Sequence, residues 1–160
     1  MVTVSRILQR ASIFMSPVTR FFLAGPLHRL MSRNLLLVSF SGRVTGRSYK
    51  TPVSYVRDGG DLLIPGGGKW WKNLAAGPVS VRLKGEWRRV TAQVISDREV
   101  MAESLARMID LKPIVSLFTG IRRGPDRLPD PESLDRERKR GFVVVRLHLT
   151  EDSRPAVHSA

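Results

Sequence analysis

The residues best suited to chemistry lie between positions 41 and 52, where arginine, lysine, threonine and glycine are closely spaced. Arg43 and Arg47 can each hold a phosphate or carboxylate through two parallel hydrogen bonds, and Lys50 adds a third positive charge. Gly42 and Gly46 leave the backbone free to turn, and the amides that such a turn exposes can form a concave anion site. The pattern therefore predicts an anion-binding turn. The alternative is a solvated basic hairpin loop, because a glycine-rich turn alone is a weak signal.

A second glycine-rich stretch, residues 66–69, precedes a predicted helix at residues 70–76. Free amides and the positive end of the helix dipole suit an anion at such a helix start. Trp70 and Trp71 are adjacent and would point roughly 100° apart on a helix. One of them can then face the core while the other lines a cleft for a planar ring. In the alternative, both tryptophans cover one end of the surrounding β-structure.

Short apolar or alternating runs, separated by glycine turns, must position both stretches. These runs predict β-strands at residues 35–40, 50–57, 61–65, 79–83, 87–95 and 142–149. Asp58-Gly59-Gly60 has the composition of a tight hairpin. Several short antiparallel strands joined by such turns indicate a small barrel rather than a parallel α/β sheet.

The last third of the chain is expected to carry the helices. The spacing of Ser96 and Glu99 is that of a capping box, and the helix after it would bury Met101, Leu105, Met108 and Ile109. A short apolar helix is predicted at residues 114–118. A charged helix from Pro131 to Arg140 is expected to start at an Asp130 N-cap and to stop at Gly141.

The N-terminal segment, residues 1–34, has the pattern of an amphipathic helix at residues 2–22. Its basic and bulky apolar residues suit a membrane surface; the alternative is packing on the barrel or on a second subunit. No stretch reaches the roughly 20 apolar residues of a membrane span, and a signal peptide is not expected. We expect the core domain at residues 35–149 and a frayed tail at residues 150–160.

Composition limits the classes of function. The chain has 160 residues and no cysteine, which excludes disulfides, iron–sulfur clusters and a thiol nucleophile. The histidines are too scattered to suggest a metal site. A net charge of +13 attracts polyanions such as nucleic acid, anionic lipid or a charged cofactor. Nucleic acid is disfavoured, because the basic residues are spread along the chain and the aromatic residues cluster elsewhere.

Two motifs resemble those of a known family. Gly42-Arg43-x-Thr45-Gly46-Arg47 followed by Thr51-Pro52-Val53 is similar to the first signature of deazaflavin-dependent nitroreductases and quinone reductases. The stretch from Gly67 to Leu74, followed by Pro78-Val79, resembles the aromatic-rich W-x-N-L signature of that family. Val44 departs from the pattern, since the family has a basic residue there.

The resemblance implies a mainly β fold with peripheral helices, the split β-barrel of the flavin-reductase or FMN-binding type. It implies binding of the deazaflavin coenzyme F(420), with FMN as the alternative cofactor and no metal. The residues assigned to cofactor binding on this basis are Arg43, Thr45, Gly46, Arg47, Lys50, Pro52, Gly66, Gly67, Gly68, Lys69, Trp70, Trp71 and Asn73.

The resemblance also implies an activity. The reduced deazaflavin would deliver a hydride to a quinone, a nitro compound or an activated alkene, and no acid–base pair would be required of the protein. Apolar groups at residues 111–118 and one tryptophan would contact this small hydrophobic acceptor. We expect a cytoplasmic homodimer. Packing of the N-terminal segment on the barrel or on a second subunit is favoured over its contact with the inner face of the cell membrane. The alternatives are a split barrel that binds a flavin or lipid-like ligand without turnover, and a basic module for membranes or nucleic acid.

Overall fold

The computed structural model describes residues 35–149. The predicted N-terminal helix, its membrane contact and the tail at residues 150–160 lie outside the described residues. The strands are β1 (Leu35–Ser41), β2 (Ser48–Ser54), β3 (Val56–Asp58), β4 (Asp61–Gly66), β5 (Val79–Leu83), β6 (Glu86–Ile95) and β7 (Val143–Leu149). The helices are α1 (Arg98–Leu111), α2 (Val115–Thr119) and α3 (Pro131–Lys139), with a 3-10 helix at Trp70–Asn73.

The strands form one sheet in the order β2-β1-β5-β6-β7-β4-β3. Every pair of neighbours is antiparallel. The two edge strands, β2 and β3, are separated along the chain only by Tyr55, so the sheet must curl until its edges approach each other. The expected small antiparallel barrel of the split-barrel type is confirmed. The single strand predicted at residues 50–57 is wrong, because the chain passes from one edge of the sheet to the other at Tyr55.

The sheet separates two apolar cores. Alternate residues of β1, namely Leu36, Val38 and Phe40, point into the inner core, which the curled sheet encloses. The outer core lies between the sheet and the helices, and it contains Leu63, whose neighbours Leu62 and Ile64 belong to the inner core. β4 is therefore buried on both faces, which explains its continuous apolar sequence.

α1 covers the outer core with the face that the sequence predicts. Met101, Leu105, Met108 and Ile109 are all buried, with exposures of 4% or less. The predicted capping residue is wrong, because Asp97 rather than Ser96 accepts hydrogen bonds from the Glu99 and Val100 amides. Asp97 carries a short side-chain oxygen one position closer to the first turn, and it therefore caps the helix directly.

The other two helices follow the predicted pattern closely. α2 begins one residue later than expected and ends at Gly120, whose φ is 68°. Asp130 caps α3 by accepting from the Ser133 amide at 2.9 Å, and Pro131 occupies the first turn. The chain leaves this helix through Gly141, at a φ of 93° that favours glycine.

The segment after the triple glycine is shorter than predicted. Residues 70–76 were expected to form a helix, but only the four residues Trp70–Asn73 are helical, and they form a 3-10 turn. The Asn73 side chain donates to the Trp70 carbonyl at 3.1 Å. Such local side-chain bonds compete with helix propagation, and Gly77-Pro78 then stops it. The predicted dipole of a full helix is therefore absent from this part of the structure.

Candidate cofactor site

The first motif forms a closed turn between β1 and β2, which we call the arginine loop (residues 42–47). The Gly42 amide donates to the Arg47 carbonyl at 2.8 Å, and the Gly46 amide donates to the Gly42 carbonyl at 2.8 Å. Gly46 has a φ of 65°, a conformation that side chains disfavour. These contacts fix the shape of the turn from within.

Two further backbone amides of the arginine loop also donate inside the protein. The Arg43 amide donates to Asn73 Oδ1 at 3.0 Å, and the Arg47 amide donates to Thr45 Oγ1 at 3.3 Å. The prediction of a concave cluster of exposed amides is therefore wrong for residues 42, 43, 46 and 47. An anion at this turn must be held mainly by side chains.

The arginine side chains are available for that role. Arg43 and Arg47 are exposed, and neither forms an ion pair with another residue in the range 35–149. Val44, at the tip between them, is 85% exposed, so the family's basic residue at this position would also reach solvent. A guanidinium without a carboxylate partner is free to bind an incoming phosphate or carboxylate.

Lys50 and Pro52 do not share this surface. Lys50 pairs across the strands with Ser39, whereas Phe40 of the inner core pairs with Tyr49. Successive residues of a strand point to opposite faces, so Lys50 and Pro52 lie on the outer face of the sheet. The Lys50 ammonium sits 5.3 Å from the centre of the Trp87 ring on β6. The structure therefore does not bring these two predicted site residues together with the arginine loop.

An aromatic row joins the arginine loop to the second motif. The Phe40 ring lies 6.1 Å from the Tyr49 ring and 6.2 Å from the Trp70 ring, measured between centroids. The Tyr49 hydroxyl is 3.1 Å from Thr45 Oγ1. A β-carbon at Gly42 would lie 2.6 Å from the Tyr49 ring, so the loop needs glycine there. Tyr49 is not among the site residues predicted from the sequence, because the strand predicted there begins at Lys50 and the pairing of Tyr49 with Phe40 is visible only in the structure.

The second motif, Trp70–Asn73, is called the tryptophan turn below. Trp70 and Trp71 are both half-buried and pack against the inner core. The Trp71 indole nitrogen is buried and has no hydrogen-bond partner among the described residues. The Lys72 ammonium lies 5.5 Å from the centre of the Trp71 ring. The tryptophan turn thus combines an aromatic wall with a positive charge.

The glycines before the tryptophan turn differ in their surroundings. Gly66 is buried, and a β-carbon there would touch Val143 and Trp70 at ordinary van der Waals distances. Gly67 and Gly68 are exposed, and added β-carbons would meet nothing within 4 Å. Gly68 has a φ of 84°, so its backbone conformation, rather than crowding, favours glycine. This exposed turn leaves room beside Lys69 for a ligand.

The segment at residues 111–118, predicted to contact the substrate, lies elsewhere. Val115 packs in the outer core, whereas Trp70 and Trp71 pack against the inner core. The sheet separates these two cores, so the structure does not bring the two predicted parts of a substrate pocket together. Burial lowers the pKa of Lys112 within this segment. Leu117 is 67% exposed.

The described residues contain neither a membrane-spanning helix nor a metal-ligand cluster. Within residues 35–149, no helix is long and apolar enough to span a membrane. Over the same range, no group of three or more histidine, aspartate or glutamate side chains is arranged to hold a metal ion.

The model of one protein family matches residues 19–114, a range that contains both motifs and most of the strands. Its description is F(420)H(2)-dependent quinone reductase. This chain belongs to that family. No curated protein sequence matches the chain.

Solved structures of similar fold come from several kinds of protein. HutZ, the heme storage protein from Vibrio cholerae, aligns with a TM-score of 0.50 and 15% identity over 77% of this chain and 86% of its own. An F(420)-H2 dependent reductase aligns with a TM-score of 0.49 and 16% identity over 72% of this chain and 95% of its own. A FAD and heme binding protein from Mycobacterium smegmatis aligns with a TM-score of 0.49 and 20% identity over 75% of this chain and 62% of its own. At such identities the likeness to HutZ indicates the fold alone.

Proposed function

We propose that this protein is a reductase that uses reduced coenzyme F(420) to transfer a hydride to a quinone, with nitro compounds and activated alkenes as further acceptors. One observation carries the proposal: both motifs of the matched family region are present, and direct contacts join them into one surface. The Arg43 amide bonds to Asn73, and Phe40 connects Tyr49 to Trp70.

The charges of the site fit an anionic cofactor. No aspartate or glutamate occurs at residues 41–57 or at residues 62–85, the two segments that contain the motifs. Arg43 and Arg47 from the first segment and Lys69 and Lys72 from the second are all exposed. Coenzyme F(420) carries a phosphate and a glutamate tail, and unpaired guanidinium groups bind both kinds of oxyanion well.

Bound deazaflavin would supply the hydride, and the chain would supply orientation and electrostatics. Arg43 and Arg47 would hold the anionic end of the cofactor. The Trp70 face would limit the approach of water to a planar ring and fix its angle. Because a deazaflavin transfers the hydride itself, the protein needs mainly to hold donor and acceptor in contact.

The decisive experiment is a turnover assay with the full chain. Reduced F(420) is mixed with a water-soluble naphthoquinone, and its reoxidation is followed by absorbance. We expect reoxidation that is proportional to protein concentration and that is strongly reduced, at a cofactor concentration near the wild-type Kd, by the double variant Arg43→Ala, Arg47→Ala. Binding of F(420) without any turnover over a panel of quinones, nitro compounds and enones would contradict the reductase proposal and favour a cofactor carrier.

The assembly and location of the protein remain proposals. We propose a homodimer, since β2 is an edge strand of the described sheet and edge strands can pair with other chains. Light scattering of the purified protein tests this proposal, because a monomer at all concentrations would contradict it.

We also propose a cytoplasmic location with membrane contact through residues 2–22. Vesicle flotation of chains with and without residues 1–20 tests the membrane contact, and cell fractionation tests the location.

A further inference from the structure

The side chain of Asn73 bridges the two motifs of the site. Its Oδ1 accepts from the Arg43 amide at 3.0 Å, and its Nδ2 donates to the Trp70 carbonyl at 3.1 Å. Arg43 and Asn73 are 30 positions apart in sequence, so this contact ties together two turns that follow different strands. Both ends of the short amide side chain are used inside the protein.

We infer that Asn73 is a positioning residue, not a cofactor ligand, and that it couples the arginine loop to the tryptophan turn. This inference rests on the proposed function for the identity of the ligand. The prediction from sequence placed Asn73 among the cofactor contacts. Its two bonds instead fix where the Arg43 backbone lies relative to Trp70, and hence where the Arg43 guanidinium can reach.

The surroundings of Asn73 make its role separable from general stability. Asn73 is half-buried, and the aromatic row of Tyr49, Phe40 and Trp70 connects the same two motifs by packing alone. Loss of the Asn73 bridge therefore leaves an apolar connection in place. A variant at this position should remain folded while the loop loses its fixed position.

The first test compares Asn73→Ala with Gln93→Ala, a matched truncation of an exposed amide on the outer face of β6. Removing two hydrogen bonds that order a binding loop is expected to weaken F(420) affinity about tenfold. Gln93→Ala should change the affinity by less than about twofold, as surface changes away from a site usually do. Equal affinities for Asn73→Ala and wild type would overturn the inference.

A double-mutant cycle separates positioning from direct contact. If Asn73 acts by placing Arg43, then Arg43→Ala must cost less affinity in the Asn73→Ala background than in wild type. Lys50 lies on the other face of the sheet and serves as the control. Lys50→Ala should change F(420) affinity by the same factor in the wild-type and Asn73→Ala backgrounds. Additive effects of Arg43→Ala and Asn73→Ala would show that Asn73 does not act through Arg43, and would overturn the inference.

A measurement without ligand keeps the inference distinct from the proposed function. In amide hydrogen exchange, the Arg43 amide should lose protection in Asn73→Ala and keep it in Asn73→Asp, which retains the accepting oxygen. The amides of β5 should be unchanged in both variants. Unchanged protection of Arg43 in Asn73→Ala would overturn the bridge. If wild type binds FMN instead of F(420), the proposed function fails, and the same cycle measured with FMN decides the inference.

Discussion

The outer core beneath the helices and the arginine loop are held together by different forces. The outer core consists of buried aliphatic side chains, such as Leu63, Leu105 and Val144, with exposures of 1% or less. The arginine loop is held by single hydrogen bonds and one row of aromatic rings. The stabilisation from burying apolar surface is large and has no preferred direction. A hydrogen bond adds little net stability, but it fixes the geometry of the groups that it joins. The first region therefore supplies stability and the second supplies a defined binding surface.

The largest expected effect lies on the helix-covered side. Leu105→Ala should lower the free energy of unfolding by about 2–5 kcal/mol, because a fully buried leucine leaves a cavity. Val100→Ala, on the same helix but 43% exposed, is the matched control and should cost less than about 1 kcal/mol. Urea denaturation followed by tryptophan fluorescence measures both. Equal losses for the two variants would contradict the assignment of the outer core.

The next effect falls on binding rather than on stability. The double variant Arg43→Ala, Arg47→Ala should weaken F(420) affinity about tenfold to a hundredfold, since an exposed charge pair contributes only about 1 kcal/mol and two such contacts are removed. The loss should be smaller for a cofactor form without the glutamate tail. Arg136→Ala, an exposed arginine on α3, is the control and should leave the affinity unchanged. Equal losses for both cofactor forms would show that these arginines do not hold the tail.

The difference between the two regions also explains what could be predicted from the sequence. The apolar spacing of α1 and the Asp130-Pro131 start of α3 reflect local rules, and both predictions are confirmed. Consecutive residues of β4 are apolar because both faces of this strand are buried. Such patterns depend on period and composition, which a single sequence displays directly.

The arrangement of the site could be predicted only in part. The motifs identified Arg43 and Arg47. The hydrogen bond from the Arg43 amide to Asn73 joins distant positions, and no periodic pattern in the sequence indicates it. The place of Lys50 depends on where β2 begins, because a shift of one residue reverses the face of every side chain. The 3-10 turn at Trp70–Asn73 depends on the same Asn73 contacts, so its length could not be predicted either.

A smaller effect is expected from the Tyr49 hydroxyl at the end of the aromatic row. Tyr49→Phe keeps the ring against Phe40 but removes the hydroxyl that meets Thr45 Oγ1. We expect F(420) affinity to fall about threefold, in line with the loss of one exposed hydrogen bond worth under about 1 kcal/mol. Tyr55→Phe, at the crossover between β2 and β3, is the control and should leave the affinity unchanged. A larger loss in Tyr55→Phe would place the important hydroxyl elsewhere.

The smallest effect concerns pH and the helix-covered side. The hydrogen bond from the Ser133 amide lowers the pKa of Asp130 in the folded protein. A depressed carboxyl pKa contributes stability above its unfolded value of about 3.9, and this contribution is lost as the pH falls through the folded value. Asp130→Asn keeps a capping oxygen but does not titrate. The urea midpoint of wild type should therefore be higher than that of Asp130→Asn at about pH 6, and this advantage should shrink as the pH falls below about 4. A constant difference between the two would contradict the assignment.

The most direct test of the proposed site is a binding titration of the full chain with coenzyme F(420), with FMN in parallel, at low and high salt. Tryptophan quenching reports binding, since Trp70 and Trp71 lie in the tryptophan turn. We predict that F(420) binds more tightly than FMN and that its affinity falls as salt rises, because charge pairs at an exposed surface are screened. Tighter binding of FMN, or F(420) binding that is independent of salt, would contradict the assignment of the arginine loop as the site for an anionic deazaflavin.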